Sequence, residues 1–62
     1  MTEKELMYLE DACEHEKSII GICNDFLGKV DDEYKTFFEN QITNHEKIQN
    51  NLMNLLKEKA NG

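Results

Sequence analysis

The chain has 62 residues, 13 acidic side chains against seven basic ones, and a net charge of −6. A chain this short forms one domain at most and buries too little apolar surface for a large core of its own. The basic residues are all lysines scattered through both halves, and there is no arginine. That pattern repels a phosphate backbone, lacks the usual bidentate reader of phosphate and guanine, and argues against nucleic acid and anionic membrane surfaces as partners.

The first element opens at Thr2-Glu3-Lys4-Glu5, a capping-box pattern in which the Thr2 hydroxyl and the Glu5 carboxylate satisfy each other's backbone amides. The chain contains no proline to interrupt it, so the pattern predicts a helix over 2–27. Gly28 stands where a left-handed residue ends a helix, and 28–31 form the turn. Asp31 or Asp32 caps the second helix and Glu33 adds favourable charge to its first turn. That helix runs over 32–60, with Lys57 and Lys59 near its negative pole. A connection this short makes the two helices antiparallel neighbours.

Both helices carry an apolar seam with alternating steps of three and four. In the first it is Leu6, Leu9, Cys13, Glu16, Ile20, Cys23 and Leu27. In the second it is Tyr34, Phe38, Gln41, His45, Ile48, Leu52 and Leu55. Folded as a hairpin, each residue of the first set faces one of the second, from Leu27 with Tyr34 to Leu6 with Leu55. The fold class is therefore all-α, an antiparallel two-helix hairpin. Ala12, Ile19 and Phe26, with Tyr8 and Ile22, widen the apolar stripe of the first helix, while Glu10, Glu14, Lys17 and Asp25 form its polar back. Phe37, Ile42, Met53 and Leu56 widen the second stripe. One partner helix cannot cover stripes this wide, so the simplest closed assembly is a homodimer forming a four-helix bundle.

Glu16 and His45 are the exception in an otherwise apolar seam, and the hairpin places them in one layer. Each supplies the other's hydrogen bond, because a lone carboxylate or imidazole there would be costly. Sliding either helix by a turn would set both against leucine or isoleucine, so the pair acts as a register device. The alternative reading is a metal site. Carboxylates and histidines projecting inward from facing helices hold iron, manganese or zinc in four-helix bundles, and a dimer would supply two of each. His15 reads as a boundary residue.

Cys13 and Cys23 lie about 15 Å apart along one helix, beyond disulfide reach, and read as small core residues with free thiols. Unbridged cysteines and the absence of a basic start followed by an apolar core at the N-terminus point to the cytoplasm. No apolar run approaches the roughly 20 residues of a membrane-spanning helix. No nucleophile–base spacing and no glycine-rich phosphate loop is present, which argues against an enzyme and against a bound organic cofactor.

The stretch Leu9-Glu10-Asp11-Ala12-Cys13-Glu14-His15-Glu16-Lys17, followed by a hairpin and a second helix bearing His45-Glu46-Lys47, resembles the small ferritin-like proteins grouped with the Coat F family of spore coat proteins. The resemblance implies a ferritin-like helical bundle with a structural place in or near the spore coat of an endospore-forming bacterium, and other coat proteins as partners. Metal-binding relatives carry Glu-x-x-His, whereas Ile42 stands three residues before His45. The function expected is that of a small structural or protein-interaction module.

Overall fold

The computed structural model describes residues 2–61, with side chains from 2 to 59. They form two helices, α1 (Glu3–Leu27) and α2 (Asp32–Asn61), packed against each other as a hairpin, with no strand among the described residues. The capping box at the start of α1 is complete. Thr2 Oγ1 accepts from the Glu5 amide at 3.2 Å, and Glu5 Oε1 accepts from the Thr2 amide at 3.1 Å and from its hydroxyl at 2.8 Å. These bonds, the hydroxyl's first, hold the Glu5 carboxyl below its usual 4.5.

The other end of α1 closes differently from the expectation. Gly28 does not adopt the left-handed conformation; its φ of −82° and ψ of −5° lie in the right-handed region. The last turn tightens instead, with the Gly28 amide donating to Asp25 O at 3.3 Å and the Lys29 amide to Phe26 O at 2.9 Å, each three residues back. Val30 adds a second amide to Phe26 O at 2.9 Å. Exposed carbonyls at a helix end are satisfied as well by such tightened turns as by a left-handed cap, so no positive φ is required.

Helix α2 begins at Asp32, which leaves Asp31 at the capping position with its carbonyl accepting from the Tyr34 amide at 2.9 Å. Asp32 and Glu33 place negative charge in the first turn, and Asp32 pairs with Lys35 at 3.0 Å. Within the helix, Thr43 returns its hydroxyl to Glu39 O at 3.1 Å. Its side chain thus needs no partner from outside the helix.

All seven residues of the α1 seam are at least partly shielded, and Cys23, at 8 % exposure, is the most deeply buried side chain among the described residues. The α2 seam requires a correction. Tyr34 and Ile48, expected to face Leu27 and Cys13, are 53 % and 43 % exposed. The half-buried strip is instead Phe38, Ile42, His45, Gln49, Leu52 and Leu56, flanked by Gln41 and Leu55. Two strips with steps of three and four, offset by one residue, share Phe38, His45 and Leu52. Both carry aliphatic residues, so periodicity alone does not choose between them. The choice made by the fold half-buries Gln49 and leaves Ile48 outside.

The hairpin measures 46 × 15 × 11 Å, with a radius of gyration of 14.4 Å against about 10.6 Å for a compact chain of this length. Its accessible surface, 4925 Å², exceeds the roughly 4200 Å² of a compact monomer of 7.3 kDa.

Two consequences can be measured. A Cβ at Gly28 would touch only Asp25 O, at 3.7 Å, and one at Gly21, within α1, would meet nothing within 4 Å. Gly21→Ala should therefore stabilise the fold by about 1 kcal/mol and Gly28→Ala by a few tenths, read from denaturant midpoints; a loss at Gly28 would mean that solution selects the left-handed cap. The second concerns Glu5. A depressed carboxyl pKa contributes stability above the unfolded-state value and loses it as pH falls through the folded value. An NMR titration should find Glu5 below its ordinary value and returned to it by Thr2→Ala, with an unchanged titration showing that the box does not form.

Candidate functional site: a carboxylate–histidine layer

The two ionisable interruptions of the apolar seams meet. Glu16 comes from the middle of α1 and His45 from the middle of α2, because antiparallel pairing returns residue 45 to the level of residue 16. His45 Nδ1 lies 2.5 Å from Glu16 Oε2. The side chains are 24 % and 16 % exposed, respectively, so the pair is largely withdrawn from water without being sealed. With the carboxylate ionised, Nδ1 carries the hydrogen it donates to Oε2, which fixes the ring's orientation. Nε2 makes no hydrogen bond among the described residues, and since no buried side-chain nitrogen or oxygen among them is left without a partner, this atom reaches solvent.

The neighbouring residues show why the layer holds. Cys13 and Leu9 lie toward one end of α1, and Ile20 and Cys23 toward the other, all at least half-shielded. On α2 the flanking positions are Ile42, Gln41, Gln49 and Leu52. An uncompensated carboxylate or imidazole in these surroundings would cost about 1–3 kcal/mol, and the mutual bond removes that penalty for both. His15 is exposed, and it does not join the pair. Both thiols are free, Cys23 buried and Cys13 half-buried, as their seam positions imply.

As a metal site, one hairpin offers only these two donors. No group of three or more histidine, cysteine, aspartate or glutamate side chains converges among the described residues. A tetrahedral site would need its remaining ligands from another molecule.

A concavity lies along one side of the hairpin. It is a groove between Glu14 and Lys17 of α1 and Gln49, Met53 and Leu56 of α2, with Cys13 between the helices and further acidic residues, Glu10 and Asp11, on its α1 wall. The groove is open along its length and carries Glu10, Asp11 and Glu14 together with Lys17 on its α1 wall. No helix among the described residues is long and apolar enough to cross a membrane.

The feature that periodicity did not isolate is the opposite side. Tyr34 and Ile48 leave the seam and join Phe37, Ile22, Phe26 and Tyr8 as exposed large apolar side chains. The available sequence signal was Gln49 next to Ile48: whichever of the two strips α2 turned inward, the other would lie outside.

No family model matches this chain, and neither a curated protein nor a solved structure is similar to it at a significant level.

Replacing either member of the central pair alone, by Glu16→Leu or His45→Leu, should lower stability by about 1–3 kcal/mol, while the double replacement should recover most of that loss. Equilibrium denaturation of all four forms gives the coupling directly. Strict additivity would show that the two side chains do not depend on each other.

Proposed function

We propose that this chain is a small structural, protein-interaction module whose activity is self-association into a homodimeric four-helix bundle. The observation that carries the reading is the mismatch between its helices and its core. Helices of 25 and 30 residues are held by a contact that leaves only Cys23 buried, and that incompletely, among the side chains described. Helices draw most of their stability from packing an apolar face, and here much of that face has no partner within the chain.

The excess surface agrees with this reading in size. The hairpin exposes roughly 700 Å² more than a compact monomer of its mass. A standard specific interface takes about 800 Å² from each partner. The resemblance of Leu9–Lys17 to the Coat F proteins supplies a setting for such an assembly, a spore coat built from small helical proteins.

The competing reading keeps the bundle and gives it a metal. Two copies would supply two glutamates and two histidines, enough for one four-coordinate site of zinc or iron type. What favours it is the convergence of Glu16 and His45 with Nε2 left open.

Two measurements test these readings. Sedimentation equilibrium at micromolar concentration should give twice the 7.3 kDa chain mass, and a fully helical species at the single-chain mass would refute self-association. Elemental analysis of protein purified without chelator should find no stoichiometric metal. Metal present in the native protein and lost in His45→Leu would replace the first reading with the second.

A further inference from the structure

Of the eight large apolar side chains that stand exposed among the described residues, six lie on one face of the hairpin: Tyr8, Ile22 and Phe26 from α1, and Tyr34, Phe37 and Ile48 from α2. Their placement follows from about 100° of rotation per residue. On α1, Tyr8, Ile22 and Phe26 fall on one side of the contact line through Leu9, Glu16 and Cys23, and Glu10, Glu14 and Lys17 fall on the other. On α2, Phe37 and Ile48 fall on one side of Phe38, His45 and Leu52, and Gln49 and Met53 fall on the other. The groove unites Glu14, Lys17, Gln49 and Met53, which identifies the polar side of both helices. The aromatic contacts identify the apolar side. Phe38 between the helices meets the edge of Phe26 at 5.5 Å and of Phe37 at 5.3 Å, so the exposed rings of the two helices form one continuous surface.

We infer that this face receives the same face of a second copy, and that the two Glu16–His45 layers stack on one another at the centre of the resulting bundle. The inference rests on the self-association proposed above and specifies its surface and its contents. Area is the first argument, since the excess of roughly 700 Å² per chain is close to what each partner contributes to a stable interface. Charge is the second. A chain of net charge −6 can approach its own copy closely only where it carries little charge. Among the apolar residues of this face α1 carries His15 and α2 carries Asn44 and Asn51, whereas two copies meeting through the groove would bring Glu10, Asp11 and Glu14 of both chains together with only Lys17 to offset them.

The position of the central layer is set by symmetry. A two-fold axis lying in the face can run along the helices or across them. In the first case every layer meets its own copy, and in the second the ends exchange and only the midpoint does. Glu16 lies within one residue of the midpoint between Leu6 and Leu27, and His45 within one residue of that between Tyr34 and Leu55. Either closed arrangement with full overlap therefore brings the two pairs together, completing a layer of two carboxylates and two imidazoles that one chain holds only in half.

The test compares faces. Phe37→Lys combined with Ile48→Lys should weaken dimerisation at least about 100-fold, as expected from removing two large apolar side chains from an interface, while Met53→Lys on the groove side should leave it unchanged. Since the double variant's helices are expected to loosen with the dimer, a second measurement uses the native chain. A mixture of isotope-labelled and unlabelled protein should give intermolecular NOEs to Tyr34, Phe37, Ile48 and His45 and none to Met53. A native dimer whose intermolecular contacts run through Met53 and the groove would overturn this inference and leave self-association standing. A native monomer would overturn both, and capture of a different helical protein by this face in place of a second copy would overturn the choice of partner.

Discussion

The controlling constraint in this molecule is how little surface one hairpin can hide. Two helices touch along a single line, and each residue on that line is covered from one direction only. Cys23 alone is buried among the residues described, while aromatic rings on both helices stand in water. Ordering a residue costs about 1–2 kcal/mol of backbone entropy, and a one-line contact along 46 Å provides little to offset it. The wide apolar stripes, the acidic polar backs and the uncharged flank of α2 are all consistent with a unit that completes its core by association.

Glu16 and His45 supply what apolar contacts cannot. A seam of leucines, isoleucines and small cysteines tolerates a slip of one turn at modest cost, because one aliphatic contact replaces another. A bonded carboxylate and imidazole do not tolerate it, since a slip buries two polar groups against alkyl neighbours. Read as a register device, the pair would exchange some stability for a defined register. In the proposed dimer, its place at the midpoint of the hairpin would bring the two pairs of the two copies to the same level.

The parts of the fold that were legible in the sequence are those set by local chemistry and by period. The capping box at Thr2 and Glu5 depends on two side chains three residues apart, and the meeting of Glu16 with His45 follows from turn length and heptad spacing. The details that were not legible involve choices that the local pattern leaves open. Gly28 permits a left-handed cap, yet the tightened turn satisfies the same carbonyls with ordinary dihedral angles. On α2, the strips through Ile48 and through Gln49 have the same period and share three residues, so the face turned toward α1 is set by packing across the whole contact. The proposed second copy offers a physical reason for the outcome: burying Ile48 inside the hairpin would remove it from the larger surface that a dimer covers. The role of the central pair is likewise read from geometry, since the same two residue types would serve a register device or a metal site.

If helix formation and association are one process, stability must depend on protein concentration. Far-ultraviolet circular dichroism, followed through thermal unfolding over about a hundredfold range of concentration, tests this directly. The midpoint should rise steadily with concentration, and the helical signal should fall at the dilute end without heating. A fully helical chain whose midpoint is the same at every concentration would show that the hairpin is stable alone, and that its exposed aromatic face needs no second copy.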